Sequence, residues 1–197
     1  MTDYNFRPKR TRDEYGWYSR RLPHFDGPQR TQFVTFRLAD SMPSDVLERW
    51  RGECRTDADL RRRVEKFLDA GHGECWLRQP AIGEVVMNAF LFHDGTKYDL
   101  HSWVIMPNHA HVLLSPFQDQ HLPEILHSLK SYTAQQANKI LNRKGQFWQH
   151  ESFDRYIRNS RHYWAVVKYI ENNPVKAGLC TRPEDWRLNS SCLVDDG

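Results

Sequence analysis

The chain has 197 residues, 27% of them charged and 39% hydrophobic, and a formal net charge of +3. That length fits one domain with room for an insert, and no stretch approaches the roughly 20 apolar residues of a membrane-crossing helix. The opening residues lack the apolar run of a secretion signal, and Cys54, Cys75, Cys180 and Cys192 form no C-x-x-C, so the expectation is a cytoplasmic protein with reduced, structural cysteines and no zinc knuckle or disulfide framework.

Residues 1–24 interleave Arg7, Lys9, Arg10, Arg12, Arg20 and Arg21 with Tyr4, Phe6, Tyr15, Trp17 and Tyr18. They show little periodicity and read as an extended arm. Arginines between aromatics suit phosphates and unstacked bases; a disordered tail fits the same composition. Residues 1–37 carry eight Lys/Arg against four acids. Thr31 to Leu38 alternates β-branched and aromatic residues, as a strand does. Residues 44–93 read as helical. Ser44 is positioned to cap a short helix through Trp50. Thr56 with Asp59 has capping-box spacing, ahead of an amphipathic stripe of Leu60, Val64, Phe67 and Leu68 that is a core face, not a cofactor site. Beyond a loop from Gly71 to Pro80, Ile82, Val85, Val86, Ala89 and Phe90 form another helical face. In that loop Gly71-His-Gly-Glu-Cys75 offers His and Cys at no metal-binding spacing. Residues 40–100 tilt acidic, with nine Lys/Arg against twelve Asp/Glu.

Tyr98 to Met106 and His109 to Ser115 read as strands joined through Pro107-Asn108, a break short enough to demand antiparallel pairing. Leu122 to Leu141 is a helix with the stripe Leu122, Ile125, Leu126, Leu129, Ala137 and Leu141, and with Lys130, Lys139, Arg143 and Lys144 as basic points. Phe147 to Arg158 mixes aromatics with Arg155 and Arg158 and reads as a short strand and loop. A last helix runs from about Arg161 to Asn172, where Pro174 stops it. The tail after Gly178, with Trp186, packs back on the domain. Residues 120–180 hold nine Lys/Arg against four acids. Basic segments around an acidic middle can converge on a polyanion, and solvated surface charge explains them equally well.

Successive strand side chains alternate faces, so His109 and His111 point the same way, roughly 7 Å apart at their backbones, while Ala110, Val112 and Leu114 face an apolar interior. Two neutral imidazoles on one face can hold a divalent metal through one ring nitrogen each and leave positions open for a substrate oxygen. An H-x-H alone is equally a pair of half-buried strand histidines bonded to backbone or water. Their place at the start of a central strand implies rigid support and open approach. Tyr169 and Asn173 lie four apart near the end of the last helix, on one face about 6 Å apart if Asn173 continues the turn. A phenol and an amide oxygen could then meet at one point. A tyrosine nucleophile must lose a proton whose ordinary pKa is about 10, and Lys168, Arg155 and Arg158 are candidates to favour the phenolate. A packed tyrosine with a satisfied hydroxyl is the alternative. Tyr132, Tyr156 and Tyr163 compete for the role, and helical spacing does not choose among them.

Met106-Pro-Asn-His-Ala-His-Val-Leu-Leu114, Phe147-Trp-Gln149, Phe153-Asp-Arg-Tyr-Ile-Arg158 and Tyr169-Ile-Glu-Asn-Asn-Pro-Val-Lys-Ala-Gly-Leu179 occur in that order. Together they resemble the single-tyrosine transposases of the HUH superfamily and, within them, the REP-associated tyrosine transposases. The resemblance covers about residues 25–190, between the arm of 1–24 and a tail of 191–197. It implies an α+β fold: a ferredoxin-like antiparallel β-sheet with helices packed on it, plus a helical insert at about 44–80 that the smallest relatives lack. It also implies that His109 and His111 bind a divalent metal, Mg²⁺ or Mn²⁺, and that Tyr169 is the nucleophile. Asn173 matches a polar partner that is a third metal ligand in relatives, with a shorter reach than the glutamine many of them carry.

The activity implied is metal-dependent nicking and rejoining of single-stranded DNA, at hairpins of repetitive extragenic palindromes, through a 5′-phosphotyrosine. Arg7, Lys9, Arg10, Arg12, Lys130, Arg155, Arg158 and Lys168 are the expected DNA-binding cations. Monomer and homodimer, and an active site within or between chains, stay open. Two rival readings share the fold: a domesticated, non-catalytic nucleic-acid-binding module, and a metal-dependent phosphodiesterase that uses water and leaves Tyr169 structural.

Overall fold

The computed structural model describes residues 17–19, 23–25 and 30–193. Arg7, Lys9, Arg10 and Arg12 lie outside them. Part of the expected arm is paired: β1 (Trp17–Ser19) and β2 (Pro23–Phe25) form an antiparallel ribbon. The remaining elements are β3 (Gln32–Arg37), α1 (Ser44–Glu53), α2 (Asp57–Asp69), α3 (Pro80–Phe92), β4 (Tyr98–Ile105), β5 (His109–Pro116), α4 (Leu122–Ile140), β6 (Phe153–Tyr156), α5 (Ser160–Glu171) and α6 (Asn173–Lys176).

β3 to β6 form one antiparallel sheet in the order β4-β5-β3-β6. With α1 and α2 set aside, the path β3-α3-β4-β5-α4-β6 is the split β-α-β arrangement of the ferredoxin-like fold. β3 and β4 run parallel to one another, and β5 lies antiparallel between them. The expected fold class is therefore the observed one.

Strand alternation sorts the residues into two layers. Val34, Phe36 and Leu38, with Ala110, Val112, Leu114, Trp103 and Ile105, pack under α3 and α4 as the main core. Phe33, Val104, Met106 and Leu113 point the other way and meet Val166, Val167 and Ile170 of α5. A third cluster joins Leu60, Val64 and Leu68 of α2 to Met42, with Phe153 of β6 against it. The second face of the sheet thus has two covers, α5 over β4 and β5 and the insert helix α2 beside β3 and β6.

The helix ends follow local chemistry. Thr56 caps α2 by accepting from the Asp59 amide (3.1 Å), and its hydroxyl donates to Asp59 Oδ2 (2.8 Å), as its spacing predicted. Ser44 caps nothing. Pro43 occupies the cap position of α1 without a side-chain bond, and Ser44 is already inside the first turn. Asn172 closes α5, and Asn173-Pro174 begins α6, a first-turn site where proline sacrifices no helical amide bond. The C-terminal segment packs back as expected: Trp186 Nε1 donates to the Ile105 carbonyl (2.9 Å), and Leu188 enters the main core. No helix among the described residues is long and apolar enough to cross a membrane, and the four cysteines are free.

Candidate active site

His109 and His111 share the face of β5 that α5 and α2 enclose, with ring centroids 4.7 Å apart. Asn108 Nδ2 donates to the His72 carbonyl (2.9 Å), which turns Asn108 Oδ1 toward His109 Nδ1 at 2.7 Å. An amide oxygen only accepts, so Nδ1 carries the proton and Nε2 keeps its lone pair. His111 Nδ1 lies 2.8 Å from Thr35 Oγ1, which leaves its Nε2 to face the site. Both Nε2 atoms are buried and have no partner. The expected shared face is present, but the expected open approach is not. His109 is 1% and His111 0% exposed, because the insert helix α2 encloses this face as well as the last helix, which was expected to fold back over the imidazoles.

The loop whose His and Cys stand at no metal-binding spacing orients Asn108 through the His72 carbonyl. Gly73 holds φ at +88°, with its backbone so near Asp40 that a Cβ would lie 2.9 Å from the Asp40 carbonyl oxygen. The Glu74 amide donates to Asp40 Oδ2 (2.8 Å). This fixes the position of His72, then Asn108, then the His109 ring.

Burial, then Lys176 and Arg37, lowers the His109 pKa to about 3. Burial, then His109, Arg155 and Lys176, holds His111 well below its ordinary value. Both rings are neutral near pH 7. The unfolded chain takes up protons that the folded one refuses, so this contribution to stability is complete above the ordinary value of 6.5 and is lost as pH falls toward the folded values. Chemical denaturation in excess chelator should show stability dropping by a few kcal/mol between about pH 7.5 and about pH 4.5. A flat profile would mean that the imidazoles titrate as free side chains.

α5 brings Tyr169 against His111, ring centroids 5.4 Å apart, and edge-on to Phe33 at 5.9 Å. Phe33 in turn stacks on His111 at 5.2 Å. The other tyrosines sit elsewhere. Tyr132 is exposed on α4, Tyr156 lies under the Arg158 guanidinium at 6.0 Å, and Tyr163 packs against His101 at 5.5 Å. Asn173 does not continue α5 but opens α6. It is 0% exposed and near enough to the phenol to favour its ionised form, yet both its amide atoms and the Tyr169 hydroxyl remain without a hydrogen bond.

Burial, then Glu65 and Asp69, pushes the phenol pKa well above its ordinary value, and Arg155 offsets part of that. Of the three cations expected to favour the phenolate, Arg155 acts on it; Lys168 is exposed on α5 and Arg158 is exposed beyond β6. A cation the sequence reading passed over also lies against the ring. Lys176 Nζ stands 5.5 Å from the Tyr169 ring centroid and pairs with Asp69 Oδ2 at 2.6 Å. Lys130 donates to the carbonyls of Gln149 (2.8 Å) and His150 (3.1 Å) on the opposite layer from the imidazoles. Arg37, opposite His109 in the β3–β5 register, is buried over the Phe153 ring at 4.6 Å, and its Nε has no partner. Burial and then Arg51 lower its pKa to about 10, so it stays charged.

Thr35, Arg37, Asn108, Lys176, Glu65 and Asp69 are therefore the site residues that sequence reasoning missed. Asn108 alone carried a local signal, as the neighbour of His109. Among the described residues no three His, Cys, Asp or Glu side chains gather as a metal-binding group. The donors present are two imidazole nitrogens and the Asn173 amide. The orphaned His109 Nε2 lone pair, held from behind through Nδ1, has the form that a metal-binding histidine takes, and His111 Nε2 offers the same when its Nδ1 proton goes to Thr35 Oγ1.

A family model described as "Transposase IS200 like" matches residues 91–173. A curated REP-associated tyrosine transposase of Escherichia coli (strain K12) is 29% identical over 95 residues, which are 47% of this chain and 54% of that protein. The match thus spans about half the length of that relative. A solved structure of a REP-associated tyrosine transposase bound to a REP hairpin superposes with a TM-score of 0.55 at 17% identity, covering 87% of this chain and 82% of that one. At that identity the superposition speaks for the fold. The family match includes His109, His111, Tyr169 and Asn173, and the resemblance read from the sequence stands.

Proposed function

From the premise that this chain carries an IS200-like transposase segment and resembles the REP-associated tyrosine transposases, we propose that it nicks and rejoins single-stranded DNA at hairpins through a phosphotyrosine on Tyr169. The supporting observation is the gathering, in one buried place, of four unpartnered polar groups: His109 Nε2, His111 Nε2, Tyr169 Oη and the Asn173 amide. Orphaned buried polar atoms cost stability, and such a cluster is the usual mark of a site built for a ligand. His109 and His111 through Nε2, with the Asn173 oxygen as a third donor, would hold Mg²⁺ or Mn²⁺, which when bound would polarise the scissile phosphate and offset charge on the leaving oxygen.

Tyr169 Oη forms the new bond to phosphorus as the bond to the 3′ oxygen breaks, giving a 5′-phosphotyrosine and a free 3′-hydroxyl. The phenol gives up one proton and the leaving oxygen gains one. Arg155 eases the first of these transfers by favouring the phenolate. The phosphodiester energy is kept in the covalent link, so a second 3′-hydroxyl can reverse the step without a nucleotide cofactor. Arg155, Arg158 and Lys168 are proposed phosphate contacts.

Incubation with labelled single-stranded hairpins and Mn²⁺, followed by denaturing electrophoresis, tests this reading. A protein-linked product that chelator abolishes is expected. Free cleavage products with no linked species would support the water-using phosphodiesterase, and binding without cleavage the non-catalytic module. The relay behind His109 makes a further prediction. Asn108→Ala removes the acceptor that orients the ring and should weaken Mn²⁺ binding about 10- to 100-fold in titration calorimetry, whereas unchanged affinity would leave Asn108 with a packing role only.

A further inference from the structure

The helical insert forms one wall of a groove whose opposite wall belongs to the transposase fold. This groove, about 640 Å³ in volume, lies between the first turns of α2 and the run from β6 into α5, and is lined in part by Arg61, Arg155, Arg158 and Arg161. Two aspartates, Asp57 and Asp154, line it beside those four arginines. None of the four arginines is ion-paired within the described residues. Arg158 and Arg161 are exposed, and Arg61 and Arg155 are half-buried. After burial, Glu65 acts most on Arg155 and favours its charge, while Arg61 and Arg158 oppose it, and Arg155 and Arg158 disfavour the charge on His162.

The groove and the active site share Arg155. Its guanidinium lies 4.9 Å from the Phe33 ring centroid, and Phe33 touches both His111 and Tyr169. Arg155 Nε has no hydrogen-bond partner. At the outer end Tyr156 lies beneath Arg158. A run of arginines without a close salt-bridge partner, with an aromatic beside it and leading to the proposed phosphate-cleaving centre, matches a single strand's phosphates and unstacked bases.

We infer that this groove holds the single-stranded segment continuing from the cleaved phosphate, with Arg61 of the insert as a phosphate contact, so that the insert is a DNA-binding element. The inference rests on the proposed function and adds to it a wall that the ferredoxin-like core does not supply. Arg62, the next residue of α2, is an internal control: it is exposed and points to Asp59 at 3.3 Å, outside the groove lining.

Binding of full-length wild type, Arg61→Ala, Arg61→Lys and Arg62→Ala should be followed by fluorescence anisotropy across a salt series, with a hairpin bearing a single-stranded tail and the same hairpin without it. Arg61→Ala should weaken binding of the tailed hairpin several-fold and lower its salt dependence by about one phosphate contact. Arg61→Lys should largely restore it, while Arg62→Ala and the tailless hairpin stay at wild-type values. Equal behaviour of Arg61→Ala and Arg62→Ala would overturn the inference, and so would equal losses on both hairpins, which would assign the groove to duplex. A wild type that forms no Mn²⁺-dependent adduct defeats the proposed function itself. A wild type that forms one, with Arg61→Ala binding normally, defeats the groove alone.

Discussion

Tyr169→Phe is expected to reduce the protein–DNA adduct below detection while leaving the protein as stable as wild type or slightly more so. The first effect follows from removing the only atom that bonds to phosphorus in the proposed reaction. The second follows from the site's geometry. The Tyr169 hydroxyl is buried, and although Asn173 lies near it, no hydrogen bond of ordinary geometry joins them, so its desolvation is poorly offset. Its ring, which makes the contacts to His111 and Phe33, survives the substitution. Relief of an orphaned hydroxyl is worth about 1 kcal/mol, or about 2–4 °C in melting temperature at this chain length. The two readouts separate the roles. A persisting adduct assigns the nucleophile elsewhere, and a clear drop in melting temperature would mean that the hydroxyl is bonded in the folded state.

The second large effect concerns the imidazoles. Wild type should be stabilised by Mn²⁺, by about 2.7 kcal/mol when the free ion is at 100 times its dissociation constant, and the adduct should require the ion. His109→Ala and His111→Ala should each lose both responses. Absolute stability is a poor guide here, since His111 fills space against two aromatic rings and its truncation leaves a cavity costing on the order of 2–4 kcal/mol. The measured quantity is therefore the difference between melting with Mn²⁺ and melting with chelator, taken for each variant. A Mn²⁺ shift that survives in both variants would place the ion elsewhere on the chain.

The sequence carried the site's own strand and helix well, because their signals are local. The two-residue period of β5 put both imidazoles on one face and Ala110, Val112 and Leu114 on the other, as found. The stripe on α2 announced that Leu60, Val64 and Leu68 were core, and they are buried. It did not say which surface α2 would lie against. That surface is the imidazole side of the sheet, and for this reason Glu65, Asp69 and Arg61 were missed and the site was expected to be open. Thr35 and Arg37 are neighbours of the histidines only through the β3–β5 register, which no spacing along the chain encodes. Ser44 failed for a smaller reason: a good capping residue one position inside Pro43 has no cap to make.

The ion pair between Lys176 and Asp69 ties the segment just after α5 to the insert, and His109 Nε2, His111 Nε2 and the Tyr169 hydroxyl are buried away from solvent. A stray strand brushing past this molecule would find nothing to react with. In the proposed reaction a phosphate can reach these atoms only once the cover formed by α2 and α5 has opened, and the Lys176–Asp69 pair, with its lysine 55% exposed, is a weak surface tie across that cover.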